Sequence, residues 1–134
     1  MGEPVSKRPE AGEHMPVLRF PPISRTELAL FAGASHDHTP IHIDIDYVRA
    51  AGGDDVIAHG MLVMGRMVQA VTRWRPGRRL VSSRARFLDV VNVGDALSIT
   101  GVVTAADEWE TCVELAVTTG DARRVMTGQV IVAE

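Results

Sequence analysis

The chain has 134 residues, 46% of them apolar, and a formal net charge of −3. This suits one domain with a real core, while weak acidity and only six aromatic side chains exclude a positive field or a stacking surface for nucleic acid. The lone cysteine, Cys112, cannot form an internal disulfide; no leader pattern opens the chain, and the most apolar segment, residues 58–71, contains Arg66 and is too short to span a bilayer, so a cytoplasmic protein without membrane association is expected.

Residues 1–15 are polar and are expected to form a flexible segment ahead of a single domain over 16–134. MPVLRFPPI, residues 15–23, reads as a short strand closed by Pro21 and Pro22. A helix follows over 24–35, with Ser24 and Glu27 as a capping box and Gly33 near its end. Pro40 removes an N–H and turns Thr39 toward an extended conformation, which opposes helix across 35–42. DIDYVRAAGG predicts a short helix ended by Gly52 and Gly53. Residues 58–74 are apolar on nearly every side until Gln69, which predicts a helix inside the protein.

From Leu80 onward the texture changes. Four segments rich in Val, Thr and Ile are separated by Gly, Asp and Asn, which predicts four successive strands, paired antiparallel. An antiparallel sheet wrapped around one buried helix accounts for every segment. That is an α+β arrangement, the hotdog architecture.

HDHTPIHID, residues 36–44, holds three of the five histidines and two aspartates. Three readings compete. Zinc would find nitrogen and oxygen donors here, but no Cys pair or His-Glu-x-x-His spacing supports a metal site, and none is expected. His36 and His38, taken singly, read as solvated side chains. Asp37 and His42 lie between apolar segments, FAGAS and PIHID, that draw them inward. A carboxylate and an imidazole five residues apart across a proline turn can converge and relay a proton. Seventeen residues after His42, His59 and Gly60 stand where a loop enters the apolar helix. Free N–H groups at a helix start, with no Cβ at Gly60, make a site for a carbonyl oxygen that gains negative charge. An acid–base pair with a carbonyl polariser is what adding water to a conjugated thioester requires.

The stretch FAGASHDHTPIHIDIDYVRAAGGDDVIAHGML resembles the hydratase signature of MaoC-like, (R)-specific enoyl-thioester hydratases and dehydratases, which have the hotdog fold. The resemblance runs from AGEHMPVLRF through RARFLDVVNVGDALSITGVV. It implies hydration of trans-2-enoyl thioesters, or the reverse, with Asp37 and His42 as the catalytic pair and the Gly60 N–H as the oxyanion donor. Thr39, His59 and Arg84 are expected to meet substrate. The substrate would be a coenzyme A or acyl-carrier-protein thioester, no separate cofactor is implied, and a homodimer or higher oligomer, or a heterodimer, is expected. The family usually has Gly where this chain has His36, and Asn where it has Thr39.

Two other readings fit the same architecture. One is a non-catalytic hotdog subunit completing a partner's tunnel, which the presence of both Asp37 and His42 opposes. The other is a hotdog thioesterase, whose carboxylate commonly sits on the central helix; residues 59–74 contain neither Asp nor Glu. The arginines at 73, 75, 78, 79, 84 and 86 are expected, as a group, to attract the phosphates of coenzyme A or an acidic carrier protein.

Overall fold

The computed structural model describes residues 7–134. Elements follow the order β1 (Leu18–Arg19), α1 (Arg25–Ser35), α2 (Pro40–Ile43), α3 (Ile45–Ala50), α4 (Gly60–Trp74), β2 (Leu80–Phe87), β3 (Leu97–Ala106), β4 (Glu110–Thr119) and β5 (Arg124–Ala133). The strands form one antiparallel sheet in the order β1-β3-β4-β5-β2. The four predicted strands are therefore present, but β2 does not pair with β3. It lies at the far edge against β5, and residues 88–96 cross to start β3.

Alternation fixes which side of the sheet is covered. Leu97, Ile99 and Val103 on β3, Val113, Leu115 and Val117 on β4, and Val130 and Val132 on β5 form the buried face. Helix α4 lies on that face with Leu62, Val63, Met67, Ala70 and Val71 inward. Gly128 is needed for this approach: a Cβ there would lie 2.5 Å from both the Arg84 carbonyl oxygen and Met67 Cε. The helix is not enclosed on every side in the single chain. Met61 is 61% exposed, because the sheet covers one face of α4 and α1 shields only part of the other.

Arg66, the charge inside the apolar run, is held by Glu27 of α1 and lies over the Phe20 ring, 4.8 Å from its centroid. Ser24 caps α1 by accepting from the Glu27 N–H at 3.1 Å. The reciprocal half of the expected capping box is replaced, since the Glu27 carboxylate turns to Arg66.

Part of the segment 1–15, expected to be flexible, runs beside β3. Residues 1–6 lie outside the described residues, but Gly12 and Met15 donate to Val103 and Gly101 of β3 at 2.7 and 2.9 Å, and Met15 is buried. Polar composition concealed a segment whose backbone finds a strand edge and whose one large apolar side chain reaches the core.

Candidate active site

The site is assembled from the end of α1, the short helix α2 and the start of α4. Helix α1 stops at His36, which takes left-handed backbone geometry at φ 60°. Histidine is among the side chains that tolerate this region, though glycine adopts it without strain. Ser35 then donates back to the Phe31 carbonyl and accepts from the Asp37 N–H, at 2.7 and 3.3 Å. Pro40, expected to oppose helix, begins one. It stands at the first position of α2, where its missing N–H costs nothing. This single turn carries His42 inward, and His42 is buried.

Asp37 is 45% exposed at its side chain. Its Oδ1 accepts from Thr39 twice, from the hydroxyl at 2.6 Å and the backbone N–H at 3.2 Å. The Thr39 hydroxyl, then its N–H, hold the Asp37 carboxyl below the usual carboxylate range, with smaller contributions from His42 and His59 and against partial desolvation. The other oxygen, Oδ2, faces His42 Nε2 at 3.9 Å. His42 Nδ1 lies 2.8 Å from the Ile57 carbonyl oxygen. That oxygen only accepts, so Nδ1 carries a hydrogen, and Nε2 is the ring atom that faces Asp37.

His59 closes the group from below. Its Nε2 donates to the Asp37 carbonyl oxygen at 3.1 Å, and its ring stacks on His42 with centroids 4.0 Å apart and 24° between planes. One potential ligand atom from each of Asp37, His42 and His59 lies within 4.8 Å of the others. The stacking argues against chelation. Stacked rings hold their lone pairs in two near-parallel planes set apart by the stack, whereas zinc ligands direct theirs at one point about 2.0–2.1 Å away.

Gly60 opens α4. The first intrahelical donors in this turn are Leu62 and Val63, both to the His59 carbonyl, so the Gly60 N–H stands ahead of the helical ladder at its positive end. The Phe87 ring crosses Gly60 so closely that a Cβ would lie 2.8 Å from Phe87 Cε1. A cavity of about 190 Å³ opens here. His42, Gly60 and Asp89 are in its wall, with Ile57, Val63, Phe87, Val91 and Met126 among its apolar lining. Asp37 adjoins it through His42.

The expected site residues thus separate into two sets. Asp37, Thr39, His42, His59 and Gly60 come together. Thr39 and His59 contact Asp37, and His59 also stacks on His42; neither is in the cavity wall. Arg84 is not brought to the site. Ala85 packs on the core and Phe87 reaches the cavity, so strand alternation turns Arg84 and Arg86 to the opposite face, beside Glu114 and Gln129. Nor do the arginines of 73–86 form one patch. Arg75 is buried and paired with Glu134 at 2.5 Å, Arg78 reaches the same carboxylate at 3.7 Å, and Arg73 lies over Phe20. Phe87, Asp89 and Met126 in the cavity wall were not singled out from sequence, because a strand's inward set is settled only once its register is known.

A hotdog domain with an acid–base pair beside a free helix N-terminus defines the class. The chain belongs to the MaoC-like domain family, whose model matches residues 5–124. Over 85 residues it is 38% identical to an (R)-specific enoyl-CoA hydratase of Rhodospirillum rubrum, a match covering 61% of this chain and 58% of that protein. Over 82 residues it is 34% identical to a mitochondrial 3-hydroxyacyl-[acyl-carrier-protein] dehydratase of Arabidopsis thaliana, covering 61% of this chain and 48% of the other. The matched region thus spans about half the length of these curated relatives. Among solved structures, the R-hydratase PhaJ1 of Pseudomonas aeruginosa superposes with a TM-score of 0.86 at 25% identity, covering 92% of this chain and 81% of that one.

Proposed function

We propose that this protein hydrates trans-2-enoyl thioesters to (R)-3-hydroxyacyl thioesters, or runs the reverse dehydration. The observation that carries this reading is a single apolar cavity touching both His42 and the Gly60 backbone, with Asp37 3.9 Å behind His42. The thioester carbonyl oxygen accepts from the Gly60 N–H, where the helix start stabilises the enolate charge. With His42 as the neutral imidazole, Asp37 Oδ2 and His42 Nε2 are both acceptors, and one water can donate to both across this gap with hydrogen bonds of about 2.8 Å. As that water's oxygen bonds to C3, its proton passes to the pair, the C2–C3 π electrons move toward the carbonyl, and the pair returns one proton to C2. Bond making and proton count balance without an outside reagent. The two groups act as a unit, so neither is assigned a separate step.

Coenzyme A or carrier-bound acyl groups are the substrates in this reading, in keeping with the activities for which the two relatives are named. A cytoplasmic setting belongs to it as well, and the lone Cys112 fits a reducing compartment. No helix among the described residues is long and apolar enough to cross a membrane.

The test is a spectrophotometric assay with enoyl-CoA and enoyl-carrier substrates, following loss of the conjugated thioester. Asp37→Asn and His42→Ala should each lower kcat by roughly 10²–10⁴ with the thermal midpoint nearly unchanged, and the double variant should be little worse than either. No hydration above background with any substrate, or an Asp37→Asn variant as active as the parent, would overturn the assignment.

A further inference from the structure

His59 is only 1% exposed and lies outside the cavity wall. It nevertheless touches each part of the site. Its Nε2–H holds the backbone carbonyl of Asp37 at 3.1 Å. Its ring lies under His42 at 4.0 Å, with Phe31 packed against it at 4.8 Å. Its own carbonyl accepts from Leu62 and Val63, which sets the first turn of α4 directly before Gly60.

One atom gives these contacts a direction. With the hydrogen on Nε2, Nδ1 is a bare acceptor, and it is buried without a hydrogen-bond partner. A buried acceptor without a donor weakens a fold, and such an atom in a native structure calls for a reason. An apolar ring would fill the same space without it. What an apolar ring could not do is hold the Asp37 carbonyl.

We propose that His59 is the positioning residue of this site: one imidazole that fixes the Asp37 loop by its Nε2–H, the His42 plane by its face, and the helix start that presents Gly60 by its backbone. The inference rests on the acid–base reading above. It assigns His59 neither proton transfer nor substrate contact. It also accepts a less stable packing in exchange for geometry, as functional sites often do.

Two substitutions separate the contacts. His59→Phe keeps the ring stack and removes the orphan atom, so its thermal midpoint should equal or exceed the parent's. Its kcat should fall roughly ten- to hundredfold, the scale of a misplaced catalytic group, with KM little changed. His59→Gln returns an amide donor near the Nε2 position and should recover part of that loss. A residue with a merely structural role would move midpoint and activity together and show no such rescue.

Nuclear magnetic resonance supplies arms that need no turnover. Long-range ¹H–¹⁵N spectra of the parent should show His59 as the Nε2–H tautomer. The His38 amide, which shares a peptide unit with the Asp37 carbonyl, should shift in His59→Phe. An Nδ1–H tautomer, an unmoved His38 amide, or parental kcat in His59→Phe would overturn the inference. If the parent turns over no enoyl thioester, the reaction proposed above fails while the spectra still decide this point. If His59→Phe does not fold, His59→Gln and the parent's spectrum decide it.

Discussion

Thr39 is the departure from the family's usual residue that meets the Asp37 carboxylate, with two hydrogen bonds to its Oδ1. Because they hold the Asp37 carboxyl low, Asp37 stays ionised below the ordinary value of about 3.9. Its protonation therefore does not limit activity near neutral pH. Thr39→Val removes the larger of the two contributions. The acid limb of kcat/KM that belongs to Asp37 should then move to higher pH, and a pH–rate series on parent and variant measures this. Stability follows the same sign. A depressed folded-state pKa stabilises above the unfolded value and ceases to do so as pH falls through the folded one, so the parent's advantage in urea midpoint over Thr39→Val should be present at pH 7 and fade toward pH 3. His36, the other departure, has a local explanation: its φ of 60° is a glycine-like geometry, and its ring is exposed. The convergence of Asp37, His42 and Gly60 was legible in sequence because it depends on local features, a proline turn and a helix start. The part played by His59 was not, since its partner carbonyl is 22 residues away. Arg84 misled because composition marks a charge without saying which face of a strand bears it.

Every helix and strand except α2, where Pro40 was expected to oppose helix, was visible in the sequence, and what else escaped was pairing between elements. The capping box placed α1 correctly, yet nothing local shows that Glu27 leaves its cap for Arg66. The partial alternation of the last four segments identified strands, but not that β2 would take the edge beside β5. The same blindness to pairing hid Arg75, which reads as one of several turn arginines. It is 2% exposed and faces Glu134, 4% exposed, across 2.5 Å. Thr111 also donates to the Glu134 carboxylate at 2.5 Å. Burial pushes this carboxyl up, but Thr111 and Arg75, with Arg78 beyond, outweigh it and leave it below the usual range. The pair joins the end of α4 to the end of β5. Glu134→Ala removes the carboxylate that both Arg75 and Thr111 meet, and breaking such a buried pair typically costs ~3 kcal/mol. The thermal midpoint should fall by roughly 10 °C, with kcat per folded molecule unchanged because the site lies at the opposite end of α4. By the linkage sign, this contribution is present above the ordinary carboxylate range and is lost as pH falls through the lowered value. A Glu134→Ala midpoint within one or two degrees of the parent's would show that solvent reaches the pair freely.

At the scale of the whole molecule, the single chain leaves apolar surface where its site is thinnest. Phe87, which crosses Gly60 and forms part of the cavity wall, is 54% exposed. Leu88 and Val90 beside it, Leu80 and Val81 at the start of the same strand, and Met61 at the start of α4 are exposed as well. They lie on or beside β2, an edge strand of eight residues that, among the described residues, pairs only with β5. A long edge bordered by apolar side chains invites pairing unless it is covered. We infer that a second hotdog chain covers it, most simply a copy of this one related by two-fold symmetry, since a self-complementary patch closes as a dimer. Covering Phe87 would fix the ring that walls the cavity over Gly60, so assembly and activity should be linked. Sedimentation velocity at micromolar concentration should show a dimer, and a charge introduced at the edge by Val81→Lys should shift it toward monomer. The monomeric variant should lose activity chiefly through a raised KM, because Asp37 and His42 are held by contacts within one chain, whereas the cavity wall is not fully supported by it. A pure monomer in the parent with full activity would show that the exposed edge serves another purpose.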